Sequence, residues 1–138
     1  MRVSQRLDYT VRGLTALARH APGTHVAAGD IADALGLPRR FVEQQFTALA
    51  RAGIVECRRG AGGGCALLRR AEEITIAEIV RAVQQVVLDV PRVTGSAVSE
   101  MWASASAALE LALEDRTLAD LAARQREFDA RAAAMYYI

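Results

Sequence analysis

The chain contains no lysine, and all 17 of its basic residues are arginines. Arginine is the better bidentate partner for phosphate and guanine, but such complete replacement more simply reflects a GC-rich coding sequence. No run of 18 apolar residues occurs, so no membrane-spanning helix and no membrane partner are expected. The opening Met1-Arg2-Val3-Ser4-Gln5-Arg6 lacks the apolar stretch of a signal peptide, which points to the cytoplasm. Only two cysteines are present, Cys57 and Cys65, and in a reducing compartment they are expected as free thiols rather than a structural disulfide. The only histidines, His20 and His25, lie near a turn, and with the cysteines their spacing fits no usual zinc site. No Ser–His–Asp pattern, paired-carboxylate site or phosphate-loop sequence is found, so an enzyme is not expected.

What is present is unevenly distributed. A chain of 138 residues makes one compact domain with an appended helical segment, long enough to bury a real core. Its net charge of +1 hides a division: residues 1–70 carry +6 and residues 71–138 carry −5. One half is suited to face a polyanion and the other is not.

Ser4 is a plausible N-cap, and Leu7, Val11, Leu14 and Leu17 recur at helical spacing until Ala21-Pro22-Gly23. Ile31, Ala32 and Leu35 mark a second helix ending at Gly36, and Pro38 suits the first turn of a third. In that third helix Val42, Phe46 and Leu49 form the apolar stripe, with Arg40, Gln44, Thr47 and Arg51 opposite and Arg39 and Glu43 at the N-terminal end. After Gly53 a short apolar strand leads to Arg58-Arg59 and the glycine-rich Gly60–Gly64, then a returning strand to about Leu68. Helix, turn, helix and basic hairpin form the pattern of a winged helix on DNA. Double-stranded DNA is therefore the expected partner. Arg39, Arg40, Glu43 and Gln44 would face base edges, with Thr47 and Arg51 on the same face. Arg58, Arg59, Gly60, Gly62 and Gly63 would meet the phosphates or the minor groove.

Thr75 and Glu78 predict a capping box opening a fourth helix whose apolar face is Ile76, Ile79, Val80 and Val83. Residues 87–96 read as a loop with Pro91 and Gly95. A long alanine-rich helix follows from about Ser96 to Glu114, striped by Met101, Trp102, Ala105, Leu109 and Leu113, and Thr117 caps a last helix. The expected class is mainly α with a small β-hairpin. The expected division is a winged helix-turn-helix head over 1–86 and a loop, long dimerisation helix and C-terminal helix over 87–138. The head closes its own core, so the stripe on the long helix predicts pairing with a second copy.

Several segments together resemble the Rrf family of winged-helix repressors, relatives of IscR, NsrR and CymR. They include Met1-Arg2-Val3-Ser4, Asp8-Tyr9, Pro38-Arg39-Arg40-Phe41-Val42-Glu43-Gln44, Leu49–Val55, Arg59–Gly64, Glu73–Val83 and Thr117–Leu121. The resemblance implies a homodimeric transcriptional repressor on a pseudo-palindromic operator, paired through the long C-terminal helix. Cluster-binding members carry three cysteines in the loop before that helix, whereas residues 86–96 here contain none. Thiolates hold such clusters, so no iron–sulfur cofactor is expected. Asp8 matches a carboxylate ligand of the family's nitric-oxide sensors, but without the cysteines it reads as a charge at a helix N-terminus.

Cys57 and Cys65 flank the hairpin tip, and opposite side chains on a hairpin come near disulfide reach. Arg58 beside Cys57 would favour a thiolate. Two alternatives stay open beside the expected DNA-binding regulator: a thiol-based redox sensor through this pair, and a winged-helix interaction module without DNA binding. A small-molecule or protein effector, if used, is expected between head and long helix near residues 84–102.

Overall fold

A computed structural model describes residues 2–136. The elements in order are α1 (Gln5–Leu17), α2 (Ala28–Leu35), α3 (Arg39–Arg51), β1 (Val55–Arg58), β2 (Gly64–Leu67), α4 (Ile76–Gln84), α5 (Ala97–Glu114) and α6 (Leu118–Tyr136), with a short 3-10 turn over Ala71–Glu73 before α4. This is a mainly α architecture carrying one antiparallel β1–β2 hairpin.

Local chemistry explains most helix starts. Ser4 Oγ accepts from the Leu7 N–H at 3.1 Å, and Ser96 Oγ accepts from the Ser99 N–H at 3.3 Å. Each satisfies one of the donors a helix leaves open at its first turn. Thr75 Oγ1 accepts from the Glu78 N–H at 3.2 Å, but the expected reciprocal half is missing, because the Glu78 carboxylate is taken by Arg69. A reciprocal cap forms instead on α6: Asp120 donates its N–H to Thr117 Oγ1 at 3.2 Å, and Asp120 Oδ2 accepts from the Thr117 N–H at 2.9 Å. Hydrogen bonding of the carboxyl to Thr117, from its backbone N–H first and then its side chain, holds Asp120 below its usual range.

The core sits where α1, α3 and α4 meet. Leu14, Phe46, Leu49, Ile54, Ile74 and Ile79 are its largest buried side chains, joined by Leu118 from α6. Leu118 arrives there through backbone pairing: its N–H donates to Ile74 O at 2.9 Å, and the Ile76 N–H donates to Arg116 O at 2.9 Å. The start of α6 therefore belongs to the head's core, although it lies beyond the division at residue 86. Sequence periodicity does not reveal this, because the pairing joins residues at least 40 positions apart. Arg81 on α4 reaches α5, donating from Nε to Glu110 Oε1 at 3.0 Å and pairing with Glu114. No residue of α5 is buried.

Candidate nucleic-acid interface

α3 begins after Pro38, whose missing N–H costs nothing at a helix start. Val42, Phe46 and Leu49 turn into the core, and that fixes the opposite face outward. Arg40, Glu43, Gln44, Thr47 and Arg51 are all exposed, at positions separated by three, four and seven residues along one side of the helix. Arg40 and Arg51 have no ion-pair partner among the described residues. Thr47 spends its hydroxyl proton on the Glu43 carbonyl at 2.9 Å, so toward a ligand it can only accept.

Arg39, exposed at the start of the same helix, pairs within the chain. Its Nε donates to Asp33 Oδ1 at 2.9 Å and a second guanidinium nitrogen pairs with Asp33 Oδ2. The fork braces α2 against α3, and Gly29 leaves it room: a Cβ there would lie 3.3 Å from Arg39 Cζ. The hydrogen bond from Arg39 holds the Asp33 carboxyl below its usual range, and Asp33 raises the guanidinium in turn. The pair lies on the surface, with both side chains more than half exposed.

The wing follows α3 after three residues. Its register pairs Val55 with Leu67, Glu56 with Ala66, Cys57 with Cys65 and Arg58 with Gly64. A contact absent from the sequence reading docks it on the body. The Val26 N–H donates to Cys65 O at 2.9 Å and the Cys65 N–H donates to Val26 O at 2.8 Å, so Val26 acts as a one-residue third strand. Gly64 lies where a Cβ would stand 2.5 Å from the Val26 carbonyl carbon, and a Cβ on Gly63 would stand 2.5 Å from Arg58 O. These two glycines are needed for the wing's own backbone packing, apart from any phosphate. Arg58 and Arg59 are exposed at the tip; Arg58 lies 3.3 Å from Glu56, and Arg59 is unpaired among the described residues.

The cysteines differ from the sequence expectation of free thiols: Cys57 and Cys65 are joined in a disulfide. The register explains it. Both backbone groups of Cys65 turn toward Val26, so Cys57 and Cys65 form a non-hydrogen-bonded pair, the antiparallel position where Cα atoms approach most closely. Here they are 4.1 Å apart.

On α5, Met101, Trp102, Ala105 and Leu109 are exposed, as are Val98 and Leu111. Leu113, placed on the same stripe by its spacing, packs instead against the core of its own head. A cleft of about 870 Å³ opens between the end of α1, the end of β2 and α6, with His20, Leu67, Arg70, Glu73 and Arg126 in its lining. A second of about 550 Å³ lies between α1 and α6. Residues 84–102, the expected effector region, line neither. Asp8, in the first turn of α1, accepts from Arg12 Nε at 2.8 Å.

The family profile Rrf2, described as an iron-dependent transcriptional regulator, matches residues 3–124. The chain belongs to the Rrf2 family. It is 33% identical over 131 residues to an HTH-type transcriptional regulator of Mycobacterium tuberculosis H37Rv, covering 88% of this chain and 81% of that protein. It is 29% identical to the protein rrf2 of Nitratidesulfovibrio vulgaris, covering 88% and 87% of the two chains. Among solved structures, CymR, the global cysteine regulator of B. subtilis, superposes with a TM-score of 0.81 at 27% identity, covering 90% of this chain and 98% of that one. IscR of T. potens superposes with a TM-score of 0.79 at 29% identity over 92% and 90%. The chain is thus a winged-helix transcriptional regulator of the Rrf2 family and not an enzyme. The family's iron prompts a test of the donor set. Its two cysteines are bonded to each other on the wing, and among the described residues no group of three or more His, Cys, Asp or Glu side chains could hold a metal ion. These donors do not fit an iron–sulfur cluster, for which thiolates are the usual ligands.

Proposed function

We propose that this regulator is a homodimeric, sequence-specific DNA-binding repressor of the cytoplasm that works without an iron–sulfur cluster. The observation that carries the reading is the exposed α3 face of Arg40, Gln44 and Arg51, followed eight residues on by the exposed Arg59 at the wing tip. None of these three arginines is neutralised within the described chain. Arg40 and Gln44 meet base edges, as Arg pairs with guanine and Gln with adenine. Glu43 accepts from cytosine or tempers phosphate affinity. Arg51, Arg58 and Arg59, with the backbone of Gly60, Gly62 and Gly63, hold the sugar-phosphate backbone and set the register without reading sequence. A second copy pairs through Met101, Trp102, Ala105 and Leu109, which places two α3 helices in successive major grooves of a pseudo-palindromic operator.

The test is selection of binding sites from a random-core duplex library with the purified protein. A two-fold symmetric motif, with half-sites about 10 base pairs apart, and an affinity that falls steeply with salt are expected. Recovery of no motif, or of one unsymmetric half-site by a monomer in sedimentation, would overturn the dimeric operator reading.

A further inference from the structure

We propose that Cys57 and Cys65 form a reversible redox switch that sets the rigidity of the wing and thereby the affinity for DNA, an inference that rests on the DNA-binding reading above. Three features meet here. The two residues are the penultimate pair of the hairpin, one step below the tip that carries Arg58 and Arg59. They are unequal: Cys65 is 5% exposed, whereas Cys57 is open to solvent. The strands that carry them are unequally anchored as well. β2 is tied on its outer side to Val26 by two backbone hydrogen bonds, while Glu56, Cys57 and Arg58 are all exposed on β1, whose ladder partner is β2. The disulfide therefore ties the loose strand, the one with the arginines, to the anchored one.

A protein that works on DNA in a reducing compartment rarely keeps a static disulfide; those that occur there are mostly transient and redox-sensing. The chemistry closes without a cofactor. In the reduced wing the exposed Cys57 thiolate attacks a peroxide; the S–O bond forms, the O–O bond breaks, and the departing oxygen leaves as water or an alcohol. Cys65 then attacks the Cys57 sulfur, the S–S bond forms, and the sulfenic oxygen leaves as water. Two thiols and one peroxide have become one disulfide and two molecules of water or alcohol. A cellular dithiol reverses the step: its thiolate attacks Cys57 Sγ, Cys65 leaves and takes a proton, and the second thiol resolves the mixed disulfide.

The oxidised wing presents Arg58 and Arg59 in one fixed arrangement, and the reduced wing has to order them on binding. The oxidised protein is expected to bind about five- to tenfold more tightly, through this preorganisation. The experiment titrates a fluorescein-labelled duplex bearing the selected motif, and a random duplex, with peroxide-treated and dithiol-treated protein whose thiols are counted by alkylation and mass. Cys57→Ser, at an exposed position that does not threaten the fold, is expected to bind like the reduced wild type and to ignore peroxide. Trypsin is expected to cut after Arg58 or Arg59 faster once the bond is opened. Affinities equal within about twofold in the two verified states, or a disulfide that no dithiol opens in the folded protein, would overturn the switch and leave the regulator reading standing. Binding to neither duplex in either state would overturn the DNA-binding reading, and the switch with it.

Discussion

In the head, Leu14, Ile54, Ile74, Ile79 and Leu118 lose essentially all contact with solvent, whereas the 18 residues of α5 include none that is buried. α5 is the richer of the two in apolar residues, yet the two regions spend that character differently. The head's stripes face one another across α1, α3, α4 and the start of α6, so its fold is complete within one chain. α5 is held by its own Ser96 cap, by the Arg81 ion pairs to Glu110 and Glu114 and by Leu113, near its C-terminal end. Beyond those anchors, Val98, Met101, Trp102 and Leu109 face outward. An apolar face that its own chain leaves bare is suited to a surface outside that chain.

The contrast is most severely tested by a pair of substitutions. Phe46→Ala, at a side chain 1% exposed, is expected to cost about 3–5 kcal/mol of head stability, seen as a lower denaturant midpoint. Leu109→Glu is expected to leave that transition of the head in place and convert the dimer to monomer in sedimentation. A comparable collapse of the fold in both variants would show that α5 is core after all, and the distinction would be lost.

Within the head, α3 and the wing differ in what they are expected to read. Arg40→Ala is expected to cost about 1–3 kcal/mol on the selected operator and to relax preference at one base position. Arg59→Ala is expected to weaken binding to all sequences alike and to lower the salt slope by about one. Equal losses on operator and random DNA for Arg40→Ala would remove it from the base-reading role.

The smallest effect belongs to the Arg39–Asp33 brace. Because Arg39 holds the Asp33 carboxyl below its usual range, the pair's contribution is fully present above the unfolded aspartate pKa of about 3.9. It is lost only as pH falls through the depressed folded value, so binding is expected to be insensitive to this pair at neutral pH. Asp33→Asn removes a negative charge and frees the fork. Random-DNA affinity is expected to rise slightly, with a steeper salt slope, while preference for the operator falls. An unchanged ratio of operator to random binding would show that Arg39 orients nothing.

Short-range features were the legible ones. Ser4, Thr75, Ser96 and Thr117 announce helix starts because a cap acts within three residues, and Val42, Phe46 and Leu49 announce the buried face of α3 by period alone. The pairings across the chain were not legible. Nothing in local spacing ties Val26 to Cys65, Arg39 to Asp33 or Leu118 to Ile74. The two backbone pairings depend on which edge is left free once the head has folded, and the ion pair depends on how the turn sets α2 against α3. The cysteine pair lies between these cases: eight residues around a glycine turn brought it within reach, and only the register with Val26 on the far side showed that the two residues face each other without intervening hydrogen bonds.

The decisive measurement is a side-by-side titration of wild type and Arg40→Ala against the selected operator in excess random competitor at near-physiological salt. Competitor-resistant binding by the wild type, weakened by about 1–3 kcal/mol on the operator by the substitution, is the predicted result. Wild-type binding no tighter than to the competitor would contradict the assignment of α3 as the reader of a specific operator.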